Sequence, residues 1–181
     1  MNREQFLHVV RAAAELVDDE LVVIGSQAII VTTPAPPAAL LRSMEVDLYP
    51  RTQPSRAAEI DGSLGDGSRF FETFGYYAHG VGPETVIGPA GWEGRLVKFD
   101  LPPMRKTDGT LVGWSLSLPD LALAKLAAGR ERDVEFVVEM LRADLLDADQ
   151  LCNGVDYMPD GHREDVRERV KGVIARVSRC G

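Results

Sequence analysis

The sequence contains few cysteines and no excess of positive charge. Its two cysteines, Cys152 and Cys180, lie far apart and form no Cys-x-x-Cys pair, which argues against both a disulfide framework and a zinc site. The 20 lysines and arginines are outnumbered by 28 aspartates and glutamates, so the formal net charge is −8. A protein of this charge does not coat nucleic acid broadly, and any contact with RNA has to be local.

Long apolar runs are also absent. The longest one is interrupted by residues 25–27 and is too short to cross a membrane. Residues 1–11 include Glu4 and contain no signal-type apolar core, so we expect a cytoplasmic protein with no membrane partner. With 181 residues, 45% of them hydrophobic, the chain is long enough to bury a core of its own.

Several common catalytic motifs are missing. The glycine-rich segment 61–68 is typical of a flexible loop and does not end in the Gly-Lys-Ser/Thr of a P-loop. The three histidines, His8, His79 and His162, are far apart in sequence and match neither a zinc motif nor a Ser/His/Asp triad. We therefore assign none of them to a site.

What the sequence does contain is a series of strand patterns followed by a series of helix patterns. The β-prone runs predict strands at 21–24, 44–49, 76–81, 85–87, 95–99 and 111–114. Apolar periodicity and helix signals predict helices at 3–18, 27–31, 54–60, 121–128, 131–142, 147–153 and 161–177. This order indicates an α+β fold, with a small mixed sheet and flanking helices in residues 1–116 and a helical region in residues 117–181. Ser117, followed three residues later by Asp120, resembles a capping box at the start of the helical region.

The most informative segment is the apolar run ending in Gly25-Ser26, together with the Glu45-x-Asp47 pair that follows it. Because side chains alternate along a strand, Glu45 and Asp47 lie on the same face. Two adjacent carboxylates repel each other unless water solvates them or a divalent cation bridges them. Mg²⁺ commonly takes one or two carboxylates together with substrate phosphates, and Gly25 allows a phosphate to approach the backbone closely. The segment therefore predicts a Mg²⁺ site beside a phosphate-binding turn.

Four motifs in this order resemble a known family. They are Val-Ile-Gly25-Ser26, Glu45-Val-Asp47, Gly91-Trp-Glu-Gly-Arg95-Leu-Val and Asp120-Leu-Ala-Leu-Ala-Lys125-Leu-Ala-Ala-Gly129-Arg-Glu-Arg-Asp133. Together they resemble the small bacterial nucleotidyltransferase-like proteins of the DUF6036 type, which are relatives of the AbiEii and MenT toxins of type IV toxin-antitoxin systems. The resemblance spans residues 20–150, and its most specific part runs from Lys125 to Asp133.

The resemblance implies a polymerase-beta-type nucleotidyltransferase core, with a nucleoside triphosphate as substrate and Mg²⁺ as cofactor. The site residues that it implies are Gly25 and Ser26 for the triphosphate, Glu45 and Asp47 for the metal, Lys125 for the nucleotide phosphates and Asp133 as a further polar group. The toxin relatives imply that the acceptor is the 3′ end of a tRNA, with a protein hydroxyl as the alternative, and that a cognate antitoxin protein is a partner.

The chain departs from the superfamily pattern in two places. Glu45 stands where the first carboxylate is usually aspartate, and its side chain is one methylene longer. A third carboxylate is not evident; Asp100 is a candidate, although the prolines that follow it favour a strand end. Two rival functions therefore remain, a catalytically degenerate nucleotide-binding module and an interaction protein of a toxin-antitoxin pair.

The candidate residues also have purely structural explanations. Ser26 can cap a helix, Asp133 can favour a helix start, and Lys125 can extend along the surface. The carboxylate pair can form a strand end that is neutralised by Arg42 or Arg51.

The segment 101–132 has a local surplus of positive charge and is the place where we expect a compact RNA contact. Within it, Arg130 and Arg132 can either meet an RNA backbone or neutralise Glu131, and the second role is the simpler expectation.

Overall fold

The computed structural model describes residues 1–101 and 112–178. Its strands are β1 (Leu21–Val23), β2 (Glu45–Pro50), β3 (Tyr77–Gly80), β4 (Val97–Asp100) and β5 (Val112–Ser115). Its helices are α1 (Arg3–Val17), α2 (Ala28–Thr32), α3 (Ala57–Leu64), α4 (Arg69–Phe74), α5 (Leu118–Ala128), α6 (Glu131–Arg142), α7 (Ala148–Val155) and α8 (Asp160–Ser178). Short 3-10 turns cover Ala38–Leu40, Pro54–Arg56, Pro83–Thr85 and Trp92–Arg95.

The five strands form one mixed sheet in the order β3-β2-β1-β5-β4. Strand β1 pairs antiparallel with β2 and parallel with β5, β2 pairs parallel with β3, and β4 pairs antiparallel with β5. The predicted α+β class with a mixed sheet is confirmed.

Helix α1 covers one face of the sheet. It begins at a capping box, in which the backbone N–H groups of Asn2 and Gln5 each donate to the other residue's side-chain oxygen at 2.9 Å. Helix α1 packs against β1, β2 and β3, and α3 packs beside it on β2 and β3. Val46 and Ala78 are fully buried, and because side chains alternate, their neighbours on β2 and β3 point to the opposite face.

Helices α5 to α8 pack on one another and form the C-terminal helical region. The turn between α5 and α6 depends on Gly129, which has a φ of 66° and donates its N–H to the Lys125 carbonyl oxygen at 3.0 Å. A side chain at Gly129 would also overlap the guanidinium of Arg169, which donates to the Leu126 carbonyl oxygen at 2.6 Å. This turn fixes how α5 and α6 are oriented relative to each other.

An ion pair between the exposed Arg95 and the buried Asp120 connects the sheet region to the helical region. Arg95 donates through Nη2 to Asp120 Oδ1 at 2.7 Å and through Nε to Asp120 Oδ2 at 3.1 Å. The Ser117 hydroxyl donates to Asp120 Oδ2 at 2.6 Å and accepts the Asp120 backbone N–H at 3.4 Å. Ser117 therefore caps α5 as predicted, while the Asp120 carboxylate binds Arg95 instead of closing a capping box.

One segment differs from the sequence prediction because local turn chemistry overrides β propensity. The predicted strand 85–87 is wrong. Pro83 starts a 3-10 turn in which the Thr85 N–H donates to the Gly82 carbonyl oxygen at 3.1 Å and the Val86 N–H donates to the Pro83 carbonyl oxygen at 3.1 Å.

The loop predicted for 61–68 is also wrong over its first half, because α3 continues to Leu64. Helix α4 was not predicted at all. It begins where the Ser68 hydroxyl accepts the Phe71 N–H at 3.2 Å, and the rings of Phe70 and Phe74 pack on His8 of α1. This stabilisation comes from a residue more than sixty positions earlier in the chain, which local periodicity does not reveal.

The change from strands to helices falls between β5 and α5, and the division into 1–116 and 117–181 stays a prediction. Residues 102–111 lie outside the described residues. They include Arg105 and Lys106, which belong to the positively charged segment 101–132, and the start of the strand predicted at 111–114. Among the helices that the structure describes, none combines the length and apolarity needed to span a bilayer.

Candidate active site

The end of β1 lies directly against the middle of β2. The Ile24 N–H donates to the Asp47 carbonyl oxygen at 2.9 Å, which extends the β1–β2 pairing by one residue and places Gly25 directly after it. A Cβ atom on Gly25 would overlap Asp47 Oδ2. Gly25 is therefore required because the Asp47 carboxylate packs against its backbone, and it does not adopt a left-handed conformation.

The carboxylate pair predicted on β2 is present and faces the groove. In the parallel β2–β3 pairing, Glu45 is opposite Tyr77 and Asp47 is opposite His79, so all four side chains project from one face. The Tyr77 hydroxyl donates to Glu45 Oε2 at 2.6 Å. The His79 Nδ1 lies 3.0 Å from Asp47 Oδ1 and 3.7 Å from Glu45 Oε1. The extra methylene of Glu45 does not remove its carboxylate from the cluster.

The two carboxylates titrate at different pH values because their surroundings differ. Burial, reinforced by the neighbouring Glu45, raises the pKa of Asp47 to about 6. Burial also raises the pKa of Glu45, but hydrogen bonds with Asp47 and Tyr77 and the positive charges of His79 and Arg132 outweigh it, so that this pKa is lowered. The pair therefore keeps one proton on Asp47 in mildly acidic solution.

The pKa values of both partners of the pair, His79 and Tyr77, are raised. Burial lowers the pKa of His79, but its hydrogen bond to Asp47 and the charges of both carboxylates outweigh burial and raise it. The hydrogen bond to Glu45 raises the pKa of the Tyr77 hydroxyl, which stays protonated and continues to donate.

Ser26 lines the groove beside the carboxylates but does not cap α2. That helix begins at Ala28, and its N-cap residue is Gln27, which makes no side-chain cap hydrogen bond. Within the described part of the chain, no residue hydrogen-bonds to the Ser26 hydroxyl. The structural explanation of Ser26 as a helix cap is therefore wrong, and its hydroxyl is available to a ligand.

The helical region forms the other wall of a groove of about 1140 Å³. Lys125 of α5 and Asp133 of α6 line this wall, and Lys125 Nζ donates to Asp133 Oδ1 at 2.9 Å. Their side chains are only 15% and 10% exposed, and Nζ also lies 4.7 Å from the centroid of the Phe136 ring. Lys125 is thus not a surface lysine, and its ammonium group is directed at Asp133.

Three arginines at the groove have no carboxylate partner. Arg42, Arg130 and Arg132 all line it, and none of them forms an ion pair with any described residue. The expected neutralisation of Glu131 by Arg130 or Arg132 is therefore wrong.

The alternative pairing of the β2 carboxylates with Arg42 or Arg51 is wrong as well. Arg51 donates to Glu20 Oε2 at 2.7 Å, and its guanidinium lies 3.9 Å from the centroid of the Trp114 ring. The groove therefore combines a carboxylate pair that has only His79 within ion-pair distance, among the described residues, with three guanidinium groups that form no ion pair there.

Sequence reasoning missed His79 and Tyr77. The sequence analysis assigns His79 to no site, but the structure brings it to the carboxylates, because β2 and β3 are adjacent in the sheet although more than thirty residues separate the paired positions. The alternation of Tyr77 and His79 along a predicted strand was the available signal, but it becomes useful only if that strand is known to pair with β2. Asp100 ends the edge strand β4, three strands away from β2, and does not line the groove.

The donor set fits a divalent cation. Glu45, Asp47 and His79 each provide one ligand atom, and these atoms lie within 4.8 Å of one another. Carboxylate oxygens suit Mg²⁺ and Mn²⁺, and an imidazole nitrogen suits transition ions. The ionic charge of such an ion would offset the repulsion that raises the pKa of Asp47.

A comparison with known families agrees with this geometry. A family model described as "nucleotidyltransferase of unknown function (DUF6036)" matches residues 4–169. The chain belongs to this family. The match includes β1 to β5, α1 to α7 and the part of α8 up to residue 169, and the mixed sheet with flanking helices is consistent with a nucleotidyltransferase-like fold. No curated protein and no solved structure matches the chain.

Proposed function

We propose that this member of the DUF6036 family transfers a nucleoside monophosphate from a nucleoside triphosphate to an acceptor hydroxyl, with release of pyrophosphate. The observation that carries the proposal is the groove itself, in which the β2 carboxylate pair faces Arg130 and Arg132 at the start of α6, neither of which forms an ion pair with a described residue. A triphosphate with a bound cation has the complementary charges, since its phosphates require guanidinium or ammonium partners and its metal requires carboxylates.

In this proposal Glu45 and Asp47 hold Mg²⁺, which when bound neutralises charge on the reacting phosphates. Tyr77 fixes the orientation of Glu45 through its hydroxyl, and Gly25 leaves room for the Asp47 carboxylate. The free Ser26 hydroxyl donates to a phosphate oxygen. Catalysis in such a transfer comes almost entirely from positioning and charge neutralisation, which these groups supply.

Lys125 has a more restricted role than a free phosphate-binding lysine. The hydrogen bond to Asp133 holds the Lys125 ammonium group on the groove wall. In this proposal the ammonium group contacts the nucleotide phosphates from there while it remains bound to the carboxylate. The remaining positive charge comes from Arg42, Arg130 and Arg132, whose fork-shaped groups suit phosphate oxygens.

The resemblance to the AbiEii and MenT toxins supports the 3′ end of a tRNA as the acceptor, and with it a cytoplasmic toxin that is restrained by a cognate antitoxin protein. A protein hydroxyl is the other acceptor class. Because the net charge is −8, an RNA contact has to be confined to the arginines at the groove and to their surroundings.

The test is to incubate the protein with each labelled nucleoside triphosphate, Mg²⁺ and total bacterial RNA. We expect label in RNA or in the protein itself, and a loss on the order of 100-fold or more in Asp47→Asn and in Lys125→Ala. The matched control is Asp156→Asn, because Asp156 pairs with Arg167 on the surface outside the groove. Equal labelling by all of these proteins would contradict the assigned site.

A second comparison separates a phosphate contact from a structural role of Lys125. The double variant Lys125→Met with Asp133→Leu removes both charges together and leaves no unpaired buried ion. Loss of transfer in this folded variant supports a phosphate contact, whereas full transfer would assign the pair to structure alone. Nucleotide binding without transfer by the wild-type protein would favour the degenerate binding module.

A further inference from the structure

His79 occupies a position that differs from those of the other two histidines. His8 lies among aromatic rings, and its Nδ1 is 2.7 Å from the Tyr76 hydroxyl, which is an ordinary packing environment. His162 lies on α8 and does not line the groove. Among the residues that the structure describes, the His79 ring has only carboxylates as polar partners, with Nδ1 at 3.0 Å from Asp47 and 3.7 Å from Glu45.

The backbone fixes this arrangement. The parallel pairing of β2 with β3 places His79 opposite Asp47, and Gly80 after it packs so closely on α3 that a Cβ there would overlap the Ala57 carbonyl oxygen. Strand β3 therefore cannot slide or rotate easily, and the imidazole is held at the carboxylates. The side chains of His79, Glu45 and Asp47 are 45%, 36% and 29% exposed, so an ion can reach all three from the groove.

We propose that His79 is a third ligand of the metal site, through an imidazole nitrogen, and that this mixed oxygen and nitrogen donor set makes the site prefer a first-row transition ion such as Mn²⁺ to Mg²⁺. The inference rests on the metal site of the proposed function and adds a ligand and a selectivity to it.

The selectivity follows from the chemistry of the two ions. Mg²⁺ prefers oxygen ligands in a near-ideal octahedron and gives up water reluctantly, so an imidazole adds little to its binding. First-row transition ions accept imidazole together with carboxylate, and their affinity for such sites rises along the series that begins with Mn²⁺. Removal of His79 should therefore weaken Mn²⁺ binding strongly and Mg²⁺ binding weakly.

The direct test uses the wild-type protein and Mn²⁺ without any nucleotide. Electron spin echo spectra of bound Mn²⁺ should show coupling to a directly coordinated ¹⁴N nucleus. Titration, followed through the paramagnetic signal of free Mn²⁺, gives its affinity, and competition with Mg²⁺ gives the selectivity. In His79→Gln and His79→Ala we expect the nitrogen coupling to disappear and Mn²⁺ affinity to fall by about tenfold or more, with Mg²⁺ affinity changed less than about threefold.

The matched control is His162→Gln, which should retain the wild-type coupling and both affinities. Circular dichroism and urea unfolding establish that each variant is folded. The nitrogen coupling of the wild-type protein tests the inference even if a variant does not fold. Absence of nitrogen coupling in the wild type, or unchanged Mn²⁺ affinity in His79→Gln, would overturn the inference. Nucleotidyl transfer without nitrogen coupling would overturn this inference alone, whereas nitrogen coupling without transfer would overturn the proposed function alone.

Discussion

Asp120 and Asp47 are carboxylates of two polar clusters that are built in opposite ways. Asp120 is 3% exposed and is fully compensated, because Arg95 binds both of its oxygens and the Ser117 hydroxyl donates to one of them. Asp47 is more open and lies beside a second carboxylate, and its cationic partner is only a histidine. The first cluster holds two regions of the chain together, whereas the second is short of positive charge, which in the proposed function a bound cation supplies.

The degree of ionic compensation separates the structural carboxylate Asp120 from the candidate functional carboxylate Asp47. Buried polar groups are normally paired, so a cluster that satisfies itself needs no further explanation. A raised carboxyl pKa, as at Asp47, means that the ionised form is destabilised in the folded state. Other interactions of the fold have to offset this unfavourable free energy. Neutralising the aspartate of each cluster should therefore change stability in opposite directions.

The largest effect is expected for Arg95→Ala, which leaves the Asp120 carboxylate buried without its cation. We expect the free energy of unfolding to fall by about 3 kcal/mol, since removing one partner of a buried pair strands the other charge. Urea unfolding at pH 7 measures this loss. Arg167→Ala, which removes a cation that pairs with Asp156 and Glu164 on the surface, should change stability by less than about 0.5 kcal/mol. Equal effects of the two substitutions would remove the distinction between the clusters.

Asp47→Asn should stabilise the protein at alkaline pH. The folded pKa of Asp47, about 6, is higher than its ordinary value of 3.8, so the folded state binds the proton more tightly than the unfolded state. The protonated Asp47 side chain therefore contributes stability at low pH. This contribution is lost as the pH rises through 6, because the charged carboxylate is unfavourable in the folded state. Asparagine is neutral throughout, so we expect a gain of about 2 kcal/mol at pH 8 and almost none at pH 4.

The measurement is urea unfolding of wild type and variant at both pH values, in the presence of a chelator so that no metal contributes. Asp120→Asn provides the contrast, because it breaks a compensated ion pair and should destabilise the protein at pH 8. A loss of stability at pH 8 in Asp47→Asn would contradict the description of its cluster as short of positive charge.

The smallest effect is expected for Tyr77→Phe, which removes the hydroxyl that donates to Glu45 at 2.6 Å. We expect a loss of about 1 kcal/mol at pH 8, because Glu45 retains some contact with water. The pKa of Glu45 should rise as well, since the hydrogen bond from Tyr77 helps to lower it, and carboxyl resonances in an NMR titration report this change. Tyr157→Phe is the control, because that side chain is largely exposed and should change neither quantity.

The sequence by itself determined most of the secondary structure and half of the site. Apolar periodicity and helix signals predicted α1, α6 and α8, and the Ser117 cap marked the start of α5, because these signals act within a few residues of each other. Strand alternation alone placed Glu45 and Asp47 on one face. The motif from Lys125 to Asp133 indicated a second wall, and its glycine turn brings those two residues into contact.

Only the tertiary structure decided which distant groups complete the site. His79 and Tyr77 join it because β3 pairs with β2 in parallel, and Gly25 proves essential because the Asp47 side chain lies against it. The ammonium of Lys125 is bound to Asp133, whereas Arg42, Arg130 and Arg132 at the groove form no ion pair with any described carboxylate. Strand pairing and ionic compensation depend on contacts between residues far apart in sequence, so no local pattern of residues contains them.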